Sequence, residues 1–188
     1  SIEPSDSTIF PGLALFDHRG ASLYEPLGPA PELDILVFDG GGTIDTVAYN
    51  REDRTAALRQ LAPMHRDALA ALRAGLREAR PELVGLAATL SARAHQRILH
   101  KPALEAAIAR AREVGAVGVN VGHSGTVIGV LLDPKRTDAL AVASYLRPRL
   151  PGLELVYATR MVGGGPAPAM RGCHPPLGNE HLNRGASD

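Results

Sequence analysis

Over the first fifty residues the apolar positions fall in short β-prone runs. Residues 9–16 and 22–27 form two of them, separated by Asp17-His18-Arg19-Gly20, a connection suited to a hairpin. A third run, 34–38, follows the Pro29 and Pro31 turn and ends in Asp39-Gly40-Gly41-Gly42, so a buried strand is expected to enter a glycine loop. From Asp53 the period changes. Leu58, Leu61, His65, Leu69, Leu72 and Leu76 recur every three or four residues and mark one helical face, which Pro63 is expected to kink or split. Pro81 opens a second helix with the face Leu83, Leu86, Leu90, Ala94 and Ile98. Pro102 opens a third, carrying Leu104, Ile108 and Ala111 and ending near Gly115. Strands are expected at 117–121 and 126–132, joined across Gly122-His123-Ser124-Gly125. A helix then runs from Asp133-Pro134 to about Leu146, and a last strand covers 153–161. Strands, three helices in series and a closing β-turn-β-α-β unit together predict an α+β fold, with helices packed on one face of a mainly antiparallel sheet.

Composition sets the class. The chain has 188 residues, 45% of them apolar and 21% charged, with no formal net charge, which predicts a soluble globular domain and disfavours extended nucleic-acid binding. Lysine occurs only at Lys101 and Lys135. The single cysteine, Cys173, excludes an internal disulfide, and no Cys/His spacing suits zinc, so no metal site is expected from the residues and a reducing compartment is. No apolar run nears the roughly 20 residues of a membrane helix, and the first residues lack the charge and apolar stretch of a secretion signal, so a cytoplasmic location with no membrane partner is expected. From residue 163 the chain is rich in Gly, Pro and polar residues without periodicity, the pattern of a disordered tail.

Two segments carry candidate chemistry. The first, from Asp39 to Thr46, looks like the opening motif of haloacid-dehalogenase-type phosphatases, with Asp39 as nucleophile. The second aspartate of that motif is replaced by Gly41, and Asp133, Asp138 and Glu154 are too scattered to pair downstream. A plain glycine turn after a strand accounts for the same residues. The second segment is the glycine-rich run from Gly115 to Val127. Its backbone amides can cradle phosphate or carboxylate oxygens, and Ser124 and Thr126 add hydroxyl donors, although a hairpin turn explains it equally and no P-loop pattern is present.

Taken with the helices between them, Gln96-Arg97-Ile98-Leu99, the Pro-started helix and the late glycine loop resemble the C-terminal half of the GHMP small-molecule kinases. Glu3-Pro4-Ser5-Asp6, Phe10-Pro11-Gly12-Leu13, Leu15-Phe16-Asp17-His18, Glu25-Pro26-Leu27-Gly28, Asp45-Thr46, Ser91-Ala92 and His123-Ser124-Gly125-Thr126 further resemble the L-threonine kinases of cobalamin synthesis and propanediol utilisation, in order and spacing, over residues 2–161. The resemblance implies a strand-rich segment at 1–50 completing an N-terminal kinase domain, a ferredoxin-like C-terminal domain at 51–162, and the tail at 163–188. It also implies ATP- and Mg²⁺-dependent phosphorylation of L-threonine to O-phospho-L-threonine. Asp6 takes the catalytic role of orienting or deprotonating the attacking hydroxyl, with a plain turn aspartate as the alternative. Gly122, His123, Ser124, Gly125 and Thr126 line the phosphate and substrate side, and Asp45 and Thr46 face the substrate from a strand end. The family's Pro-x-x-x-Gly-Leu-x-Ser-Ser nucleotide loop does not occur in the sequence, and Ser1 is not a methionine. The resemblance therefore implies that an N-terminal kinase half or a second copy of the chain is needed. A non-catalytic small-molecule-binding or regulatory module is the competing reading.

Overall fold

The computed structural model describes residues 10–17, 24–122 and 125–165. Its elements are β1 (Leu13–Phe16), β2 (Tyr24–Gly28), β3 (Asp34–Asp39), α1 (Thr46–Arg51), α2 (Thr55–Arg77), α3 (Pro81–His95), α4 (Leu104–Glu113), β4 (Gly118–Val121), β5 (Val127–Leu132), α5 (Ala139–Leu146), a 3-10 turn (Arg147–Arg149) and β6 (Glu154–Arg160). The chain divides into two compact units, Glu32–Arg160 and the segments on either side of it. In the flanking unit β1 and β2 pair antiparallel, Phe10 stacks on Tyr24 at 4.1 Å between ring centroids, and Gly12 bridges to Gly164. The predicted strand pair is therefore present. Residues 18–23, which join it, lie outside the described residues, as does the expected tail from 166 onward.

In the larger unit β3 to β6 form one antiparallel sheet in the order β4-β5-β3-β6. β3 is an interior strand of this sheet, paired with β5 on one side and β6 on the other, so the unit begins near Glu32. Side chains alternate along a strand, so Leu36 and Phe38 share a face with Val130 and Ile128 of β5 and Val119 of β4. All five are essentially buried, and α4 and α5 pack against these strands. Helices on an antiparallel sheet give the predicted α+β class.

α3 covers the edge of the sheet. The Thr89 hydroxyl donates to the Gly85 carbonyl at 2.9 Å and accepts the Val119 N–H at 3.0 Å, which satisfies a backbone donor of the edge strand β4. The approach is very close, since a Cβ on Gly85 would lie 1.9 Å from the Val117 carbonyl oxygen. The helical face read from the leucines is rotated as a result. Leu86 is 45% exposed, while Val84, Ala87, Thr89 and Ala92 are buried, because α3 lies between α2 and β4 and only small side chains fit there. Likewise α2 buries Leu61, Ala68 and Gly75 and leaves Leu58 exposed.

Three further expectations are corrected. Pro63 does not split α2, which runs unbroken through it. Asp133 and Pro134 do not start α5: the Asp133 carboxylate and carbonyl accept bonds from Lys135, Arg136 and Thr137 in a turn, and the helix begins at Ala139 with Asp138 as its cap. Asp45 and Thr46 are not at a strand end, for they are the N-cap and first residue of α1, a short helix where only strands and turns were expected.

Candidate functional site

Antiparallel pairing brings the C-terminal end of β3 and the N-terminal ends of β5 and β6 to the same end of the sheet. The glycine loop after β3, Gly125 to Ile128 at the start of β5, the Pro151-Gly152 turn before β6 and the link between α3 and α4 converge there around a cleft of about 420 Å³. Gly40, Gly41 and Ile44 come from the first loop, Gly125, Thr126 and Ile128 from the start of β5, and Leu153 from the last turn. Leu99, His100, Lys101, Pro102 and Ala103 complete it. Gly41 and Gly42 hold φ of +71° and +85°, a left-handed backbone that lets the chain turn sharply after β3 without a Cβ penalty.

Two side-chain contacts hold the described residues on either side of the β4–β5 connection. At its far end Thr126 donates its hydroxyl to Oδ1 of Asp39, which also accepts the Gly41 N–H at 3.0 Å. The Thr126 hydroxyl and, after it, the Gly41 amide hold the Asp39 carboxyl below its ordinary pKa, because both stabilise the charged form. At its near end the Gly122 N–H donates to the Val127 carbonyl at 2.9 Å, and the Lys101 ammonium donates to the Gly122 carbonyl at 3.0 Å. Lys101 is only 6% exposed, and burial lowers its pKa, since the charged form loses hydration. Its backbone is clamped by Gln96, whose side chain accepts the Lys101 N–H at 2.6 Å and donates to the Lys101 carbonyl at 2.9 Å.

Of the residues singled out from sequence, the structure brings Gly125 and Thr126 to the cleft and sets Gly122 against Lys101. Asp6, His123 and Ser124 lie outside the described residues. Asp45 accepts the Ala48 N–H at 2.9 Å as the cap of α1, and its neighbour Ile44 is the residue that reaches the cleft. Asp39, weighed as a phosphatase nucleophile, is engaged by Thr126 and Gly41 and has glycine where a partner acid belongs. Sequence reasoning missed Lys101 and Gln96. One signal was available, as Lys101 stands directly before the helix-opening Pro102 and is one of only two lysines.

Among the described residues no group of three or more His, Cys, Asp or Glu side chains is placed to hold a metal ion, and no helix is long and apolar enough to cross a membrane.

Residues 69–152 match the family model described as GHMP kinases C terminal. An L-threonine kinase from Citrobacter freundii is 37% identical over 171 residues, which cover 88% of this chain and 58% of that protein. Another, from Salmonella typhimurium, is 39% identical over 138 residues, covering 73% and 46%. The chain thus spans about half the length of the curated relatives it matches. Among solved structures, the mevalonate kinase of L. major in complex with R-mevalonate superposes with a TM-score of 0.59 at 16% identity, over 80% of this chain and 48% of that one, a likeness of fold. The sheet with its helices, the glycine turn at its cleft and these matches identify the chain as carrying a GHMP kinase C-terminal domain over residues 69–152.

Proposed function

We propose that this chain is the C-terminal portion of an ATP-dependent GHMP-type kinase that phosphorylates a hydroxyl of a small metabolite, L-threonine, to give O-phospho-L-threonine for cobalamin synthesis. The observation that carries the reading is the 37–39% identity to two L-threonine kinases over most of the chain. The cleft is compatible with it: glycines leave backbone open to a ligand, Thr126 supplies a hydroxyl, and Ile44, Leu99 and Leu153 offer apolar walls that exclude water. Phosphoryl transfer asks chiefly for positioning and charge stabilisation, which such a site supplies. In this reading Asp6 orients or deprotonates the acceptor hydroxyl. Gly122, His123, Ser124, Gly125 and Thr126 face the phosphoryl and substrate groups, and Asp45, as the cap of α1, holds the loop that brings Ile44 to the cleft. ATP is the phosphoryl donor. The Mg²⁺ that such a donor carries finds no cluster of acids among the described residues, so no side chain of this chain is assigned to it.

The test follows label from γ-³²P-ATP to L-threonine, with this chain alone and with it joined to the N-terminal half of a related L-threonine kinase. O-Phospho-L-threonine is expected only from the joined protein, and Asp6→Asn is expected to abolish it. Threonine binding by the chain alone, with no transfer in either case, would replace the kinase reading with that of a binding module.

A further inference from the structure

We infer that the cleft at the sheet end is an oxyanion site in which Lys101 is the counter-charge for a phosphoryl or carboxylate group. Lys101 is 94% shielded from solvent, its relative exposure being 6%. An ammonium group has three N–H donors, and among the described residues the Lys101 group uses one, on the Gly122 carbonyl. Among the described residues no carboxylate lies within 4.0 Å of it, and none lines the cleft. Among the described residues the other titratable group on the wall is His100, which is exposed and adds no negative charge. The carboxylate of Asp39, at the start of the glycine loop, accepts from Thr126 and Gly41.

A shielded cation whose described partner is one neutral carbonyl is unfavourable, because a carbonyl dipole replaces only part of the lost hydration. An anion in the cleft offsets that cost. The surroundings suit one: Gly40, Gly41 and Gly125 bring no side chain between ligand and backbone, and the apolar wall raises the strength of a charge contact by keeping water out. The Gln96 clamp on the Lys101 backbone and the bond from its ammonium to the Gly122 carbonyl hold the lysine at the cleft wall, so the cation is in place before a ligand arrives. The inference rests on the kinase reading only for what the anion belongs to, a phosphoryl group or the carboxylate of an amino-acid substrate. Binding itself needs no turnover.

The two lysines permit a direct test on the whole chain. With ¹³Cε-labelled lysine, Lys101 and Lys135 give two NMR signals, and exposed Lys135 serves as the internal control. Inorganic phosphate, O-phospho-L-threonine and L-threonine are added separately at constant ionic strength. An anion within a few ångströms stabilises the ammonium, so the Lys101 titration midpoint is expected to rise by about one pH unit while Lys135 stays still. A response to inorganic phosphate assigns the phosphoryl group, and a response to L-threonine assigns the carboxylate. Lys101→Met is expected to abolish phosphate-induced shifts of the Gly122 and Gly125 amides, and Lys101→Arg to retain them. A Lys101 midpoint unmoved by all three compounds, or Lys135 moving as far as Lys101, overturns the inference. A phosphate response in a chain whose joined form transfers no label upholds it and rejects the kinase reading instead.

Discussion

Asp39 and Thr126 stand 87 residues apart in the chain and meet where Thr126 lines the cleft. The Asp39 carboxyl lies below its ordinary pKa because Thr126, and then Gly41, bond its charged form. The stability this contributes is present above the ordinary carboxylate value and is lost as the pH falls through the lowered folded one. Thr126→Val is therefore expected to move the Asp39 midpoint upward, read from carboxyl ¹³C shifts, and to speed amide exchange at Gly40, whose N–H faces the Thr126 carbonyl at 3.4 Å. Gln96 gives a second prediction. Gln96→Leu leaves the Lys101 N–H and carbonyl without their side-chain partner and is expected to cost about 1–3 kcal/mol in chemical denaturation, the penalty of part-buried polar groups losing their bonds. Neither partnership was readable from sequence. Thr126 was singled out for a ligand and is bonded to Asp39, while Gln96 was seen only as part of a family pattern. Which polar side chains meet depends on strand register, and no local pattern encodes that.

Among the elements, α3 shows how far periodicity reaches. The leucine spacing correctly predicts a helix opened by Pro81, yet its buried face belongs to Val84, Gly85 and Ala87 instead of Leu86. A helix pressed between α2 and the edge of β4 is chosen for small side chains, and hydrophobicity alone does not reveal that constraint. Gly85→Ala tests it. In an isolated helix the change favours helix by about 1 kcal/mol, but here the new Cβ collides with the Val117 carbonyl oxygen at 1.9 Å and the Gly118 nitrogen at 2.8 Å. The variant is expected to be less stable by about 3 kcal/mol or more, visible as a lower Tm. Pro63 makes the opposite case. α2 continues through it, held by packing on α3, so the missing N–H bond is a cost that the helix already carries. Pro63→Ala at this exposed position is expected to raise stability by about 1–3 kcal/mol and to leave the helical circular-dichroism signal unchanged in shape.

At the scale of the molecule, the buried apolar side chains among the described residues run from Leu33 to Leu155, and all of these fall inside the unit Glu32–Arg160. That unit also holds the complete four-stranded sheet and every described group of the cleft. A polypeptide of residues 32–160 is therefore expected to fold on its own with one cooperative thermal transition, while one starting at residue 51, the boundary suggested by the sequence, loses the interior strand β3 and is expected not to fold. Circular dichroism and thermal melts of the two separate these outcomes. Local pattern determined the order and type of nearly all the elements, the α+β class and the family likeness, because turn residues, helix-opening prolines and apolar periods are read over a few neighbouring positions. Tertiary structure decided that β3 pairs with β5 and β6 across most of the chain's length. It also decided that small side chains face inward on α3, and that Lys101 is shielded beside the glycine turn. These follow from which distant segments share space, and the energy of each contact depends on a neighbour that the local sequence does not specify.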